Sequence, residues 1–346
     1  MVRVGIVGAT GLVGQYLIKT FIGHTDAQLT VLCSDHASGQ QIGDVCPILK
    51  NELYATLVAT DVDRLAKETD IVFMAKKGPE AMKMAPPLVE AGVKVVDMGG
   101  AFRFDDPATY EEWYKTEHLC PGLLKDAVYG LPETHRKEIV SAEIIGNPGC
   151  YPTGAILPLT PLLEKGVISK DGIIIDSFSG ISGTGATYSA ASRNLYLQCN
   201  ENSRAYSVAT HRHMPEIEQE LSRVAGDGLK VVFVPHLIPL DRGLLTNAFA
   251  SLTSDYSTDD VVELAREYYR GEPFIRIFDD ISRVELLHVA HTNYCDIGYT
   301  VDKRTQQLIA VSAIDNVIKG SVGLAVQSTN ILFGIEETSA LKNRAI

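Results

Sequence analysis

Cys150 stands in the run GNPGCYPTG, Gly146 to Gly154, where strand-like sequence ends, Pro148 and Gly149 form a turn, and helical sequence follows. Pro152 suits the first turn of such a helix. A thiol at a helix N-terminus has its thiolate stabilised by the helix dipole, and the thiolate is the nucleophile. At a pKa of about 8.5 about 3% of a thiol is ionised at neutral pH, against about 90% at a pKa near 6. Lower intrinsic nucleophilicity offsets part of that roughly thirtyfold gain. The chemistry this pattern offers is covalent attack on an acyl carbon. A buried structural cysteine in a loop fits the same spacing, so both readings stand at this point. Pro158 and Pro161 predict that the helix is short or kinked.

A second cluster is HRHMPEIEQEL, beginning at His211. His213 and Glu216 are spaced so that a carboxylate can orient an imidazole for general acid–base work. His-x-His is also a metal pair, but no third or fourth ligand stands at a suitable spacing, so no metal is expected. A solvated cap at a helix start is the plain alternative. Arg212, between the histidines, is a bidentate donor for a carboxylate or phosphate.

The chain opens with a strand followed by GATGLVG, Gly8 to Gly14. This Gly-x-x-Gly-x-x-Gly turn opens a helix, as a dinucleotide site requires: Gly8 for the tight turn, Gly11 for approach of the pyrophosphate, Gly14 for helix–strand packing. The helix N-terminus supplies N–H groups to an anion. The residue that selects the adenine ribose is expected roughly 20 residues later, at Ser34, Asp35 and His36. Asp35 favours the 2′-hydroxyl of NAD; Ser34, His36 and Ser38 suit the 2′-phosphate of NADP. Another glycine loop, FSGISGTG (Phe178 to Gly185), is either an anion nest or a plain turn. Lys76 and Lys77 follow a strand at the edge where ligands sit in open α/β sheets. Arg103 and Arg242 are further candidate anchors for a substrate anion.

These residues need a scaffold of two kinds. In the first half, VRVGIVG, QLTVLCS, IVFMA, VKVVDM and EIIGN read as strands alternating with helical segments. That alternation predicts a parallel sheet covered on both faces. In the second half, GIIIDSFS, KVVFVPHLIP, LTNAFASLTS, HVAHTNYCDIGYTVD and QQLIAVSAID are long strand-like runs with few helices among them. They predict a mixed or antiparallel sheet and an α+β domain. The stretch DNVIKGSVGLAVQSTNILFGIEET is helix-like and apolar on most sides, hence buried.

A chain of 346 residues fits two domains. Its net charge of −12 argues against a nucleic-acid partner, and its 45% apolar and 21% charged residues are ordinary for a globular protein. No apolar run has the length of a membrane span and the start lacks a signal-peptide pattern, so no membrane partner and a cytoplasmic setting are expected. The six cysteines form no Cys-x-x-Cys pair.

Together the motifs GATGLVG, VYGLPE (Val128 to Glu133), NPGCYPT, SGISGTG, HRHMPEI and DNVIKGSVGLAVQ resemble those of N-acetyl-γ-glutamyl-phosphate reductases of arginine biosynthesis, in order and over nearly the whole chain. The resemblance implies a Rossmann-type α/β domain over 1–149, completed by about 315–346. It implies an α+β catalytic and oligomerisation domain over 150–314, like that of glyceraldehyde-phosphate and aspartate-semialdehyde dehydrogenases. It makes Cys150 the nucleophile on an acyl phosphate, with His213 and Glu216 as acid–base partners and inorganic phosphate released. It implies NADP, with NAD left open by Asp35, held by Gly8, Thr10, Gly11, Leu12, Val13, Ser34 and Ser38, and by Ser179, Gly180, Gly183 and Asn316. Arg103, Asn147, His211 and Arg212 are the expected substrate contacts, and a homo-dimer or tetramer the expected assembly. The chain departs from the family pattern at Lys76–Lys77, where Pro-His is usual, at Ala101, where an acidic residue is usual, and at Asp35, where Arg often stands. An aminoadipyl-phosphate reductase of lysine synthesis and a nucleotide sensor with an inert cysteine are the competing functions.

Overall fold

A computed structural model describes residues 1–184 and 197–342. The chain divides into two compact units: Met1–Pro148 with the described residues from Ser321 onward, and Gly149–Gly320.

The first unit is built on a six-stranded sheet: β1 (Val2–Val7), β2 (Ala27–Cys33), β3 (Ile71–Met74), β4 (Lys94–Asp97), β5 (Ala127–Tyr129) and β6 (Ile144–Gly146). The order is β2-β1-β3-β4-β6-β5 and every pairing is parallel. All four residues of β3 are buried, as expected of a parallel strand covered on both faces. The order reverses about β1, so the crevice for a ligand lies beyond the carboxyl ends of β1 and β3. The residues delivered there are Gly8–Gly11 and Ala75–Lys76. The helix Gly323–Leu332 belongs to this unit, and its residues Gly323–Asn330 are all buried.

The second unit carries a mixed seven-stranded sheet: β7 (Ile173–Ser179), β8 (Arg204–Ala205), β9 (Val231–Leu237), β10 (Leu244–Ser251), β11 (Ile275–Phe278), β12 (Cys295–Asp302) and β13 (Gln307–Ile314). Its order is β11-β12-β13-β10-β7-β9-β8, with β7–β9 and β11–β12 parallel and the other pairs antiparallel. Burial alternates along β7 and β9. One face packs under helices, while Ile174 and Val232, paired across the two strands, stand on the other, exposed. The run HVAHTNY does not extend β12: Leu286–Val289 is a short helix and the strand begins at Cys295. The two short strands β8 and β11 carry too few residues for periodicity to mark them.

The helix Cys150–Glu164 runs for 15 residues through both prolines, so it is not the short helix that they allowed for. A proline inside a helix removes one N–H and leaves the carbonyl four residues back without its partner, at about 3 kcal/mol or more. Pro158 would orphan Gly154 O and Pro161 would orphan Leu157 O. The Ser312 hydroxyl donates to Gly154 O at 2.6 Å, and the Tyr269 hydroxyl donates to Leu157 O at 2.6 Å. The Tyr299 hydroxyl donates to Pro158 O at 2.9 Å. With these carbonyls satisfied, the helix is buried without interruption from Tyr151 to Leu163. Such a helix is a rigid post for the residue at its start.

Candidate functional site

Cys150 is the first residue of that helix, and Gly149 is its N-cap. No side chain caps it in the ordinary way. Instead Glu216, fully buried near the start of the helix Met214–Ala225, accepts the Gly149 N–H at Oε1 over 2.8 Å. The Thr153 hydroxyl donates back to Gly149 O at 2.9 Å. Cys150 and Tyr151 follow Gly149 as the first two residues of the helix, and Pro152 after them has no N–H to leave unpaired. A buried carboxylate is expensive unless hydrogen-bonded, and a helix N-terminus is where its charge is best tolerated.

His213 caps the second helix and is buried. A β-carbon on Gly149 would lie 2.5 Å from His213 Nε2, so the imidazole is packed directly on the turn that carries Cys150. On the other side, a β-carbon on Gly320 would lie 2.7 Å from Cys150 Cβ. Cys150, His213 and Glu216 are therefore brought together around one turn of backbone. His211 supports this cluster: its Nδ1 accepts the His213 N–H at 3.2 Å, and its ring lies 4.8 Å from that of His213 and 5.4 Å from that of Tyr151. Burial, helped by the charge of Arg212, pushes the His211 pKa down to about 4. His211 is thus neutral at ordinary pH, a buttress rather than a cation. Arg212 is exposed.

The other thiols differ from Cys150. Cys33, Cys46, Cys199 and Cys295 are buried. Burial pushes Cys33 and Cys120 up to about 11 and raises Cys46. Among the described residues, Cys120 and Cys150 are the partly exposed thiols, and Cys150 alone of them begins an α-helix.

In the first unit, Gly8 adopts φ +88° and a β-carbon there would lie 2.5 Å from Ala75 O. A β-carbon on Gly14 would lie 2.3 Å from Gly8 O. The helix Leu12–Ile22 starts at Gly11 with no side-chain cap. Gly8, Thr10, Gly11, Leu12 and Val13 are half-buried around this start, which fits a pyrophosphate. At the end of β2, Thr10 Oγ1 lies 3.0 Å from Ser34 Oγ and 3.4 Å from His36 Nε2. Ser34 Oγ lies 3.3 Å from His36 Nδ1. Ser38 follows, exposed. Also in this unit, Arg103 and Asn147 meet: Arg103 Nε donates to Asn147 O at 2.7 Å, and both residues are buried.

In the second unit, Ser179, Gly180, Gly183 and Asn316 come together, but not as an anion nest. The N–H groups of Gly180, Ile181, Ser182 and Gly183 donate to the carbonyls of Gly243, Leu240, Asp241 and Gly180. Asn316 accepts the Gly243 N–H at 2.8 Å and donates to Ser182 Oγ at 3.1 Å. The segment is a bonded turn because its donors point into the protein. Gly185 lies outside the described residues. Arg242 lies 3.4 Å from the fully buried Asp315, whose carboxylate also accepts the N–H groups of His291, Val317 and Ile318. Asp315, which the sequence reading passed over, anchors the turn leading to Gly320. Among the described residues no group of three or more His, Cys, Asp or Glu has the arrangement of a metal site. No helix among them is long and apolar enough to cross a membrane.

Two family descriptions match the chain: "Semialdehyde dehydrogenase, NAD binding domain" over residues 3–142, and "Semialdehyde dehydrogenase, dimerisation domain" over 150–316. An N-acetyl-gamma-glutamyl-phosphate reductase of Geobacter metallireducens is 43% identical over 343 residues, covering 99% of this chain and 98% of its own. One from Acetivibrio thermocellus is 44% identical over 343 residues, covering 99% of each. Among solved structures, aspartate semialdehyde dehydrogenase II of Vibrio cholerae superposes with a TM-score of 0.73 at 17% identity, covering 96% of this chain and 98% of its own. The aspartate semialdehyde dehydrogenase of Candida albicans does so with a TM-score of 0.73 at 19% identity, with the same coverage. These structural likenesses speak to the fold.

Proposed function

The chain belongs to the N-acetyl-γ-glutamyl-phosphate reductase family, and from that premise we propose that it reduces N-acetyl-γ-glutamyl phosphate to N-acetylglutamate semialdehyde and inorganic phosphate, oxidising NADPH to NADP, in arginine biosynthesis. The observation that carries the reading is the position of Cys150: it starts a buried helix, on a turn held by Glu216 and packed against His213.

Cys150 attacks the acyl carbon as a thiolate, favoured at a helix N-terminus. Phosphate leaves, and a thioester on Cys150 results. Backbone N–H groups near Cys150 hold the oxyanion. A nicotinamide nucleotide, when bound, supplies the hydride that reduces the thioester. His213 gives a proton to the developing alkoxide and takes it back as the aldehyde departs and the thiolate returns. Glu216 acts by holding Gly149, and so the start of the helix, as well as by its charge near His213.

Gly8, Thr10, Gly11, Leu12 and Val13 hold the pyrophosphate, and the hydroxyl and imidazole cluster of Thr10, Ser34, His36 and Ser38 suits a 2′-phosphate. Ser179, Gly180, Gly183 and Asn316 shape the nicotinamide end as a rigid turn. Arg103 with Asn147, and Arg212 with His211, hold the substrate's carboxylate and phosphate. The exposed apolar pair Ile174 and Val232 on the open sheet face supports self-association into a dimer or tetramer. Six free thiols suit a reducing, cytoplasmic setting.

The test is the reverse reaction with N-acetylglutamate semialdehyde and phosphate, run with NADP and with NAD, alongside the aminoadipate semialdehyde homologue. Turnover is expected with the glutamate semialdehyde, and Cys150→Ala should abolish it while nucleotide still binds. Full activity of Cys150→Ala, or turnover of the aminoadipate compound alone, overturns the reading.

A further inference from the structure

Asp35 and Lys76, 41 residues apart in the chain, are joined in one structural feature. Asp35 follows β2 at the place where an acidic residue ordinarily takes the ribose hydroxyls of NAD and repels a 2′-phosphate. Here its carboxylate is committed on both oxygens. Oδ1 accepts the Thr60 N–H at 2.8 Å, and Oδ2 pairs with Lys76 Nζ at 3.1 Å. The Thr60 hydrogen bonds, with Lys76, hold the Asp35 carboxyl down at about 2, so the group is an anion with fixed partners. Lys76 follows β3, at the point where the strand order reverses, and its side chain is 23% exposed against 55% for Asp35. Lys76 is thus the more buried side chain of the pair.

We propose that Lys76 is a specificity-determining residue for the nucleotide: by neutralising and anchoring Asp35, it removes the acidic barrier to a 2′-phosphate and leaves the Thr10–Ser34–His36 cluster to receive it. This rests on the NADP reading above. Lys76 acts through Asp35, as a positioning residue. Without it, Oδ2 is released as an acceptor for a ribose hydroxyl and its negative charge is unmasked. The expected consequence is weaker NADP binding together with equal or stronger NAD binding.

The experiment is calorimetric titration of the full chain with NADP and, separately, with NAD. It compares the wild type, Lys76→Met, Lys76→Arg and the double variant Asp35→Asn/Lys76→Met. In Lys76→Met the ratio of NADP to NAD affinity should fall by about tenfold, the effect of one unmasked charge near the surface. Lys76→Arg should retain most of the wild-type ratio. The double variant should recover the NADP affinity to within about threefold of wild type, since no acid remains to be masked. If Lys76→Met leaves the ratio unchanged, the proposal is wrong. If the double variant binds NADP as poorly as Lys76→Met, Lys76 contacts the phosphate itself and the role through Asp35 is overturned. A wild type that binds the two nucleotides equally defeats the NADP reading alone, because the shift between wild type and Lys76→Met still reports on the pair.

Discussion

Gly149 has room for a hydrogen where any other residue carries a β-carbon, because His213 Nε2 would lie 2.5 Å from that atom. The contact joins the residue that caps the helix of Cys150 to the proposed acid–base group. Gly149→Ala must therefore displace the imidazole, the helix start or both. Misplacement of a catalytic group by about 1 Å costs on the order of a hundredfold in rate. A fall in kcat of that size is expected, with the Kd for NADP changed by less than about twofold. Steady-state kinetics paired with nucleotide titration checks this, and an unchanged kcat would mean that the packing of His213 on Gly149 is incidental.

The hydroxyls of Tyr269 and Ser312 are what permit a helix to run through Pro158 and Pro161. Tyr269→Phe keeps the ring and strands the Leu157 carbonyl in a buried position. Leaving one buried acceptor unpaired costs about 1–3 kcal/mol. Chemical denaturation should show a loss in that range for Tyr269→Phe and another for Ser312→Ala, at unaltered m-value. Stability equal to wild type in both variants would show that the helix tolerates its prolines by some other means.

What was legible in the sequence was local. GATGLVG requires a turn and a helix start because its glycines permit backbone approaches that other residues forbid, and the structure has them at Gly8 and Gly14. The alternation of strands and helices gave the parallel sheet, and the longer strand runs gave the mixed one. What was not legible came from partners distant along the chain. Ser312 lies 158 residues from the Gly154 carbonyl that it satisfies, so the prolines read as signs of a short or kinked helix. Lys76 lies 41 residues from Asp35, so Asp35 read as a charge facing the nucleotide rather than one held by the protein. For the glycine loop after Ser179 an anion nest and a plain turn stood equal, because the acceptors that decide for the turn, at Leu240, Asp241 and Gly243, come from another strand connection. The spacing of His213 and Glu216 on one helix start was legible, but the Gly149 N–H bond to Glu216, across 67 residues, was not.

His211 links the site to pH. Its pKa lies at about 4, below the ordinary 6.5, because burial and the neighbouring Arg212 disfavour the imidazolium. The unfolded chain therefore binds a proton below 6.5 that the folded chain refuses until about 4. Stability rises with pH wherever the unfolded state binds more protons. The contribution of His211 is thus fully present above 6.5 and is lost as the pH falls toward 4, at no more than about 1.4 kcal/mol per pH unit. His211→Asn keeps an acceptor for the His213 N–H and removes the titrating ring. Unfolding free energies measured across this window should fall less steeply for the variant than for the wild type, and the two curves should run parallel above it. Equal slopes throughout would mean that His211 takes up its proton in the folded protein, contrary to its place among Tyr151, Tyr206, His213 and Phe233.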